Sequence, residues 1–369
     1  MPSVLPPAIG TPLAELDTPS LLLDLPAFER NLERMAAFSR RTGVAVRPHA
    51  KAHKSPLVAR KQLDLGAIGI TCSKLGEAEA LVAGGVTRGL LVSSEVVGAR
   101  KIARLIALAH HAELLVVVDD PDNAGDLAAA AGAAGLTLDV LVEVNVGQER
   151  CGVLPGAPAA ELAERVAGLS GLRFRGLQGY EGHLQQIRDL GERRARCDAA
   201  MERLIETRRA VESRGLAVEI VSTAGTGTHE IAAAHRGVTE VQPGSYVWMD
   251  SSYVRVEGTP FESALTVLTS VVSRQRPGQA IVDAGWKSVS TDAGNPAVKG
   301  RDGLAYTPAG DEHGRLTAAE AAAPPSLGEK LELVPSHCDT TVNLYDRFVC
   351  LRDGRVEAVW PIAARGAVQ

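Results

Sequence analysis

An α/β protein is predicted from the residues alone: a (β/α)8 TIM barrel with a second, mainly β C-terminal domain. Eight short apolar, β-branched runs recur between residues 44 and 241. Ala-, Leu- and Arg-rich segments with helical spacing follow or separate them. After about residue 250 that rhythm stops, and strand-like runs punctuated by Gly and Pro take over.

Ser20–Leu25 reads as an extra strand ahead of the eight, a candidate member of the β domain, with the chain crossing into the barrel at Pro26. The eight barrel strands are Val44–Val46, Ile68–Thr71, Gly89–Ser93, Leu114–Val118, Leu138–Val144, Phe174–Leu177, Val218–Val221 and Val238–Val241. They are continuous rather than alternating, as expected for strands covered on both faces. The clearest helices are Pro56–Leu65, Gly76–Ala83, Val96–Ala109, Ala124–Ala134, Ala157–Ala167 and Arg188–Arg214. Eight β-then-α units favour a closed barrel over a doubly wound open sheet. In the second part, Leu265–Val272, Gln279–Asp283, Lys330–Pro335, Thr341–Leu344, Arg347–Leu351 and Arg355–Ile362 read as strands. Gly310–Pro325 reads as a loop with one helical turn. The barrel is expected over residues 20–250 and the β domain over 251–369, with residues 1–19 joining the latter.

A length of 369 residues suits two domains. Lys+Arg 39 against Asp+Glu 44 gives a net charge of −5, the wrong sign for a nucleic-acid binder. With 45% hydrophobic and 22% charged residues, a disordered chain is excluded. Five scattered cysteines without a CxxC pair form neither a disulfide framework nor a structural zinc site. The first residues lack the basic and apolar regions of a secretory signal, and no stretch reaches the length of a membrane span. A cytoplasmic protein is the default expectation.

In a barrel of this kind chemistry collects at the C-terminal ends of the strands. Those ends carry Arg47-Pro48-His49-Ala50-Lys51, then Glu143 to Arg150, then Gln178-Gly179-Tyr180-Glu181-Gly182-His183. The last two carry Ser222 to Thr228 and Gln242-Pro243-Gly244-Ser245-Tyr246. Glycines at 225 and 227 let backbone approach an anion, with hydroxyls from Ser222, Thr226 and Thr228 and a helix start over residues 229–234. Barrels often hold a phosphate between the loops after strands seven and eight. Taken alone the first of these loops reads equally well as a plain glycine turn; paired with Gly244 and Ser245 it reads as a phosphate cradle.

Lys51 stands beside His49 and His53 just past a buried strand. A lysine can lose its proton near other cations and attack a carbonyl, which arginine cannot, and Arg47 is expected to push its pKa down. From charge and position alone, a surface lysine capping the helix near Ser55 is the simpler account. A phosphate cradle and a Schiff-base lysine at one barrel mouth point to pyridoxal phosphate. In the β domain, His337 and Asp339 flank Cys338. On a strand or extended loop they would face one way and share a divalent ion. His and Asp in a loop more often only hydrogen-bond. A further cluster runs from Asp283 to Lys287 with Thr291 and Asp292, either a domain junction or a turn with a salt bridge.

The motifs RPHAKAHK, GQERCGV, GYEGH, STAGTGT, QPGSYVWMD, VDAG and HCDTTVNLYD together resemble the D-threonine aldolases. These sit with the D-serine dehydratases among the alanine-racemase-like (fold type III) pyridoxal-phosphate enzymes. The resemblance runs from about residue 17 to about 362 and implies a homodimer. It implies that Lys51 carries the cofactor, and that Ser222, Gly225, Thr226, Gly244, Ser245 and Tyr246 bind its phosphate. It places Arg150 near the phenolic oxygen, with Gln178, Tyr180 and His183 lining the ring and substrate side. It assigns the metal to His337 and Asp339. The dehydratase branch has a cysteine where this chain has Asp339, so the hard carboxylate fits the aldolase branch and Mn²⁺ or Mg²⁺. The implied reaction cleaves a D-β-hydroxy-α-amino acid to glycine and an aldehyde, with His183 or a metal-bound hydroxide taking the hydroxyl proton. The alternatives are a D-serine dehydratase, a D-3-hydroxyaspartate aldolase, or a non-catalytic pyridoxal-phosphate-binding protein.

Overall fold

The computed structural model describes residues 5–320, 323 and 325–369. Strand β1 (Ser20–Asp24) leads into helix α1 (Leu25–Thr42). Asp24 caps that helix by accepting the Ala27 N–H at 2.9 Å, Pro26 sits in its first turn, and Gly43 ends it at φ 73°. There follow β2 (Ala45–Val46), α2 (Pro56–Asp64), β3 (Ile70–Cys72), α3 (Leu75–Ala83), β4 (Leu90–Val92) and α4 (Ala99–Ala109). The series continues with β5 (Leu114–Val118), α5 (Pro121–Ala133), β6 (Leu138–Glu143), α6 (Ala157–Ala167), β7 (Leu172–Gly179) and α7 (Leu190–Glu212). It ends with β8 (Ile220–Thr223), α8 (His229–Ala232) and β9 (Glu240–Val241).

These eight strands form a parallel sheet in the order β2-β9-β8-β7-β6-β5-β4-β3. A single bridge from His49 to Thr71 joins its two ends, with Thr71 N–H donating to the Pro48 carbonyl at 2.8 Å, so the barrel closes. All five residues of β5 are buried, which is why these runs do not alternate. The ring has no helix after β9; α1, entering from the other sheet, packs against β2 and the β9 exit. The amphipathic run from Leu25 to Thr42, with its Asp-x-Pro start, is the one long helix absent from the sequence reading.

The second sheet has nine strands, adding β10 (Leu265–Ser273), β11 (Gln279–Val282), β12 (Ala297–Val298), β13 (Leu304–Pro308), β14 (Gly314–Ala318), β15 (Lys330–Val334), β16 (Arg347–Arg352) and β17 (Arg355–Pro361). β1 lies inside it, antiparallel to β10 and parallel to β16. The chain therefore crosses to the barrel at Leu25–Pro26, and β1 joins the β sheet rather than a barrel beginning at residue 20.

Two expectations fail here. Gly314–Ala318, read as part of a loop, is a strand paired with β11 and β13. The end of that expected loop, residues 321, 322 and 324, lies outside the described residues. Thr341–Leu344, read as a strand, falls on the end of the short helix α9 (Cys338–Val342). Its threonines favour strands in isolation. Here the Thr341 hydroxyl donates to the His337 carbonyl at 2.9 Å, and buried Asp250 accepts the Cys338 N–H at 3.3 Å. These two bonds wind the segment into a turn.

Trp248 ties the two sheets together beneath the site. It is fully buried, its centroid 5.5 Å from Phe28 and 5.1 Å from Phe348, and its indole N–H donates to the Ala52 carbonyl at 2.9 Å. The turn that carries Lys51 is thereby pinned from below.

Candidate active site

A cavity of about 380 Å³ opens at the C-terminal ends of the barrel strands. Gly225, Thr226, Gly244 and Ser245 form one end of it. Gly244 packs closely, and a Cβ there would lie 3.1 Å from the His49 carbonyl oxygen, a tight contact. At Gly225 a Cβ would meet the Gln185 amide at 2.6 Å. Non-glycine Ala224 holds φ 63°, and the loop keeps that conformation through a buried carboxylate. Glu181 accepts the Thr228 hydroxyl at 2.5 Å, the Thr223 hydroxyl at 3.0 Å and the Ala224 N–H at 3.3 Å. The Thr226 hydroxyl oxygen accepts the Tyr246 N–H at 3.0 Å, which leaves its own proton for a ligand. Helix α8 is only four residues long, so the expected dipole contribution at this loop is slight.

Lys51 sits on a 3-10 turn (Ala50–Ala52) just past β2. Its Nζ lies 5.8 Å from the centroid of the Tyr180 ring, and the Arg150 guanidinium lies 5.8 Å from the same ring. Burial works to lower the Lys51 pKa, but Tyr180 and Asp339 outweigh it and raise it in the free protein. Arg47 is not the expected modulator: it is buried in a two-pronged ion pair with Glu240 at 2.9 and 2.8 Å. His49 is held neutral, its pKa well below the ordinary imidazole value through burial and then Lys51. Its Nδ1 accepts the Lys51 backbone N–H at 3.3 Å.

The floor of the cavity is a chain of amides. Gln242 donates to Gln178 Oε1 and to the Ser222 hydroxyl, each at 2.7 Å, and Gln178 donates to Glu143 at 2.5 Å. Burial pushes the Glu143 pKa up to about 8. Ser222 also donates to Glu240 at 2.7 Å and stays inside the barrel, away from the cradle. The Tyr246 side chain also misses the cradle; its hydroxyl accepts from Gln62 at 3.0 Å beneath α1. His183 is exposed on a turn beside Gly147 and lines neither this cavity nor the next. Ser222 faces inward from strand β8, Tyr246 is turned away within the 3-10 turn Ser245–Val247, and His183 follows the end of β7 by four residues on a 3-10 turn of its own.

A second cavity of about 590 Å³ adjoins the first, and Lys51, Ser73 and Lys74 border both. It is a vestibule walled on its far side by Trp286, Asp292, Asp339 and Leu344. His337 precedes α9 in extended conformation and Asp339 lies in the first turn, so the pair is set by a helix start rather than by strand alternation. His337 Nδ1 lies 2.7 Å from Asp292 Oδ2, leaving Nε2 as its available ligand atom. Asp292 Oδ1 accepts the Ser290 hydroxyl at 2.7 Å and the Thr340 hydroxyl at 2.9 Å. Asp339 Oδ1 is buried and without a hydrogen-bond partner. A buried carboxylate oxygen with no donor, beside an imidazole oriented by a second carboxylate, fits a divalent ion. Two protein ligands leave positions open for water or substrate. Among the described residues, three ligand atoms within 4.8 Å of one another occur at Glu95, Asp119 and Cys151 instead, but Asp119 is engaged with the Gly152 N–H at 2.9 Å.

Asp292 is named by the sequence only in the separate cluster with Asp283–Lys287, and Lys74 not at all. The first is 45 residues from the histidine it orients, a pairing that only the folded sheet creates. Of the Asp283–Asp292 cluster, Asp283 instead accepts Thr18 and Thr269 hydroxyls at 2.5 and 2.7 Å, and Lys287 pairs with Glu312 at 2.7 Å.

The alanine racemase N-terminal domain family matches residues 23–252, and a putative serine dehydratase domain matches residues 264–351. A D-threonine aldolase of Arthrobacter sp. is 46% identical over 365 residues, covering 98% of this chain and 96% of the relative. A 3-hydroxy-D-aspartate aldolase of Paracoccus denitrificans (strain Pd 1222) is 40% identical, covering 98% of this chain and 95% of the relative. The crystal structure of a D-threonine aldolase from Filomicrobium marinum superposes with a TM-score of 0.96 at 47% identity, covering 99% of each chain.

Proposed function

The chain belongs to the alanine-racemase-like enzymes, in the branch of the D-threonine aldolases, and on that premise we propose a carbon–carbon lyase acting on D-β-hydroxy-α-amino acids. The reaction releases glycine and an aldehyde. It depends on pyridoxal phosphate and a divalent ion, with Mn²⁺ suited to the nitrogen-and-oxygen ligand pair. One observation carries the reading: Lys51, from the barrel, and Asp339, from the β domain, open on the same vestibule.

When bound, the cofactor supplies an electron sink for the breaking Cα–Cβ bond, and the metal lowers the pKa of the β-hydroxyl. The chain does the rest. Gly225, Thr226, Gly244 and Ser245 receive the phosphate. Lys51 offers the amine that links to the cofactor, with neutral His49 holding its turn. Arg150, Gln178 and Tyr180 border the ring. His337 and Asp339 hold the ion at the vestibule, and Asp292 sets the imidazole. Orientation of the scissile bond follows from gripping the substrate at two points, the amine end near Lys51 and the hydroxyl end near Asp339. His183, exposed and lining neither cavity, stays the candidate base for the β-hydroxyl proton.

The described residues contain no helix long and apolar enough to cross a membrane, and every cysteine is free. A homodimer in a reducing cytoplasm is the setting that fits both the free thiols and the family. The test is product analysis with D-threonine before and after metal removal. Glycine and acetaldehyde are expected with Mn²⁺ present, and neither after chelation, while the cofactor absorbance persists. Pyruvate and ammonia from D-serine at a higher rate would favour the dehydratase; full activity with the metal verified absent would remove the ion from His337 and Asp339.

A further inference from the structure

The two cavities share three residues, and one of them is a cation with nothing to do. Lys51 is committed to the cofactor, and Ser73 is a small polar neighbour whose N–H donates to Glu77 at 2.7 Å. Lys74 is exposed at the start of α3, in extended conformation at φ −130° and ψ 152°; its carbonyl accepts the Glu77 and Ala78 N–H groups at 3.0 and 3.2 Å, and its side chain carries no hydrogen bond or ion pair among the described residues. Its base is fixed by that same Glu77 contact. The residue borders both the cofactor cavity and the vestibule.

Every amino-acid substrate brings an α-carboxylate into this junction, and a carboxylate leaving water needs a partner. The other charges on the vestibule wall do not serve. Asp292 and Asp339 repel it. Lys54 is buried and spent on Glu77 at 2.5 Å. Lys287 is not on the wall and is taken by Asp311 and Glu312. Arg150 borders only the cofactor cavity, against Tyr180. Resting on the reading of Lys51 given above, we propose that Lys74 holds the α-carboxylate of the substrate and so sets which face of the vestibule receives the rest of it. With the carboxylate at Lys74 and the hydroxyl toward Asp339, the β-substituent is directed at Trp286 and Leu344. Among the described residues the vestibule then has no second unpaired cation for a distal carboxylate.

The test separates carboxylate recognition from general damage. Glycine and glycinamide are titrated into the holoenzyme and binding is read from the cofactor's absorbance. Glycinamide keeps the amine and lacks the charge. In Lys74→Met, glycine binding should weaken about ten- to hundredfold, the range for a charge-assisted hydrogen bond, while glycinamide binding stays within about twofold. Lys74→Arg should recover most of the glycine affinity. Unchanged glycine binding in Lys74→Met, or equal loss of both ligands, overturns the proposal. Selective loss of glycine in Arg150→Gln with Lys74→Met intact moves the anchor to Arg150 and overturns it too. Lack of any lysine-linked cofactor absorbance in the wild type would instead bring down the reading on which it rests.

Discussion

Asp292→Asn tests the metal site through a residue that is not itself assigned as a ligand of the ion. The two carboxylate oxygens of Asp292 have separate tasks: Oδ1 accepts two hydroxyls, from Ser290 at 2.7 Å and Thr340 at 2.9 Å, and Oδ2 faces His337 Nδ1 at 2.7 Å. In the asparagine variant the carbonyl oxygen is the group that can satisfy both hydroxyl donors. The amide NH₂ is then turned toward Nδ1, which must accept rather than donate. The imidazole proton moves to Nε2, the atom left for the ion, and the ligand lone pair is lost. Outer-sphere partners of metal-bound histidines are worth ten- to hundredfold in metal affinity, about 1.4–2.7 kcal/mol. Calorimetric titration of metal-stripped protein with Mn²⁺ reads this directly, and the cofactor absorbance should not change. An Asp292→Asn protein that binds Mn²⁺ as tightly as the wild type would refute the assignment of His337 as a ligand through Nε2.

Trp248→Ala removes the stacked indole between Phe28 and Phe348 and the donor to the Ala52 carbonyl; a loss of about 3–5 kcal/mol in denaturant unfolding is expected, together with weaker cofactor retention. Glu143 has its pKa raised to about 8 in the folded protein by burial, so its contribution to stability is fully present below about pH 4.5 and lost as pH rises through 8. Glu143→Gln should therefore gain thermal stability over the wild type as pH increases from 5 to 9, and a constant difference across that range would show that the carboxyl is not titrating. D-3-hydroxyaspartate should be cleaved with lower kcat/KM than D-threonine, because its second carboxylate meets Asp292 and Trp286; a higher value would mean that a cation from outside the described vestibule enters it.

The barrel was legible because its strands are buried on both faces and so appear as unbroken apolar runs between helices. That Lys51, Gly225, Thr226, Gly244 and Ser245 gather at one cavity was legible for a related reason: they follow directly on buried strands whose ends converge at the barrel mouth. Side-chain direction was not legible there, and Ser222 and Tyr246 turn away from the cavity into hydrogen bonds with Glu240 and Gln62. In the β domain, β14 has one buried side chain, Leu316, among its five residues and lies in a polar, Ala-rich stretch, so its alternation was hidden. α9 was misread because the bonds that wind it, from Thr341 and from Asp250 in the barrel, outweigh the strand preference of its threonines. Asp292 depends on a contact between segments 45 residues apart in the β domain, and Lys74 on the place where two cavities meet, and no local pattern reports either.

Three lysines border the joined cavities, at positions 51, 54 and 74, and the first is the proposed carrier of the cofactor. Borohydride reduction of the holoenzyme followed by peptide mass mapping distinguishes them. The reduced cofactor is expected on the peptide segment containing Lys51, in one copy per chain, and absent from Lys51→Ala. An adduct on Lys54 or Lys74, or none anywhere, would contradict the account.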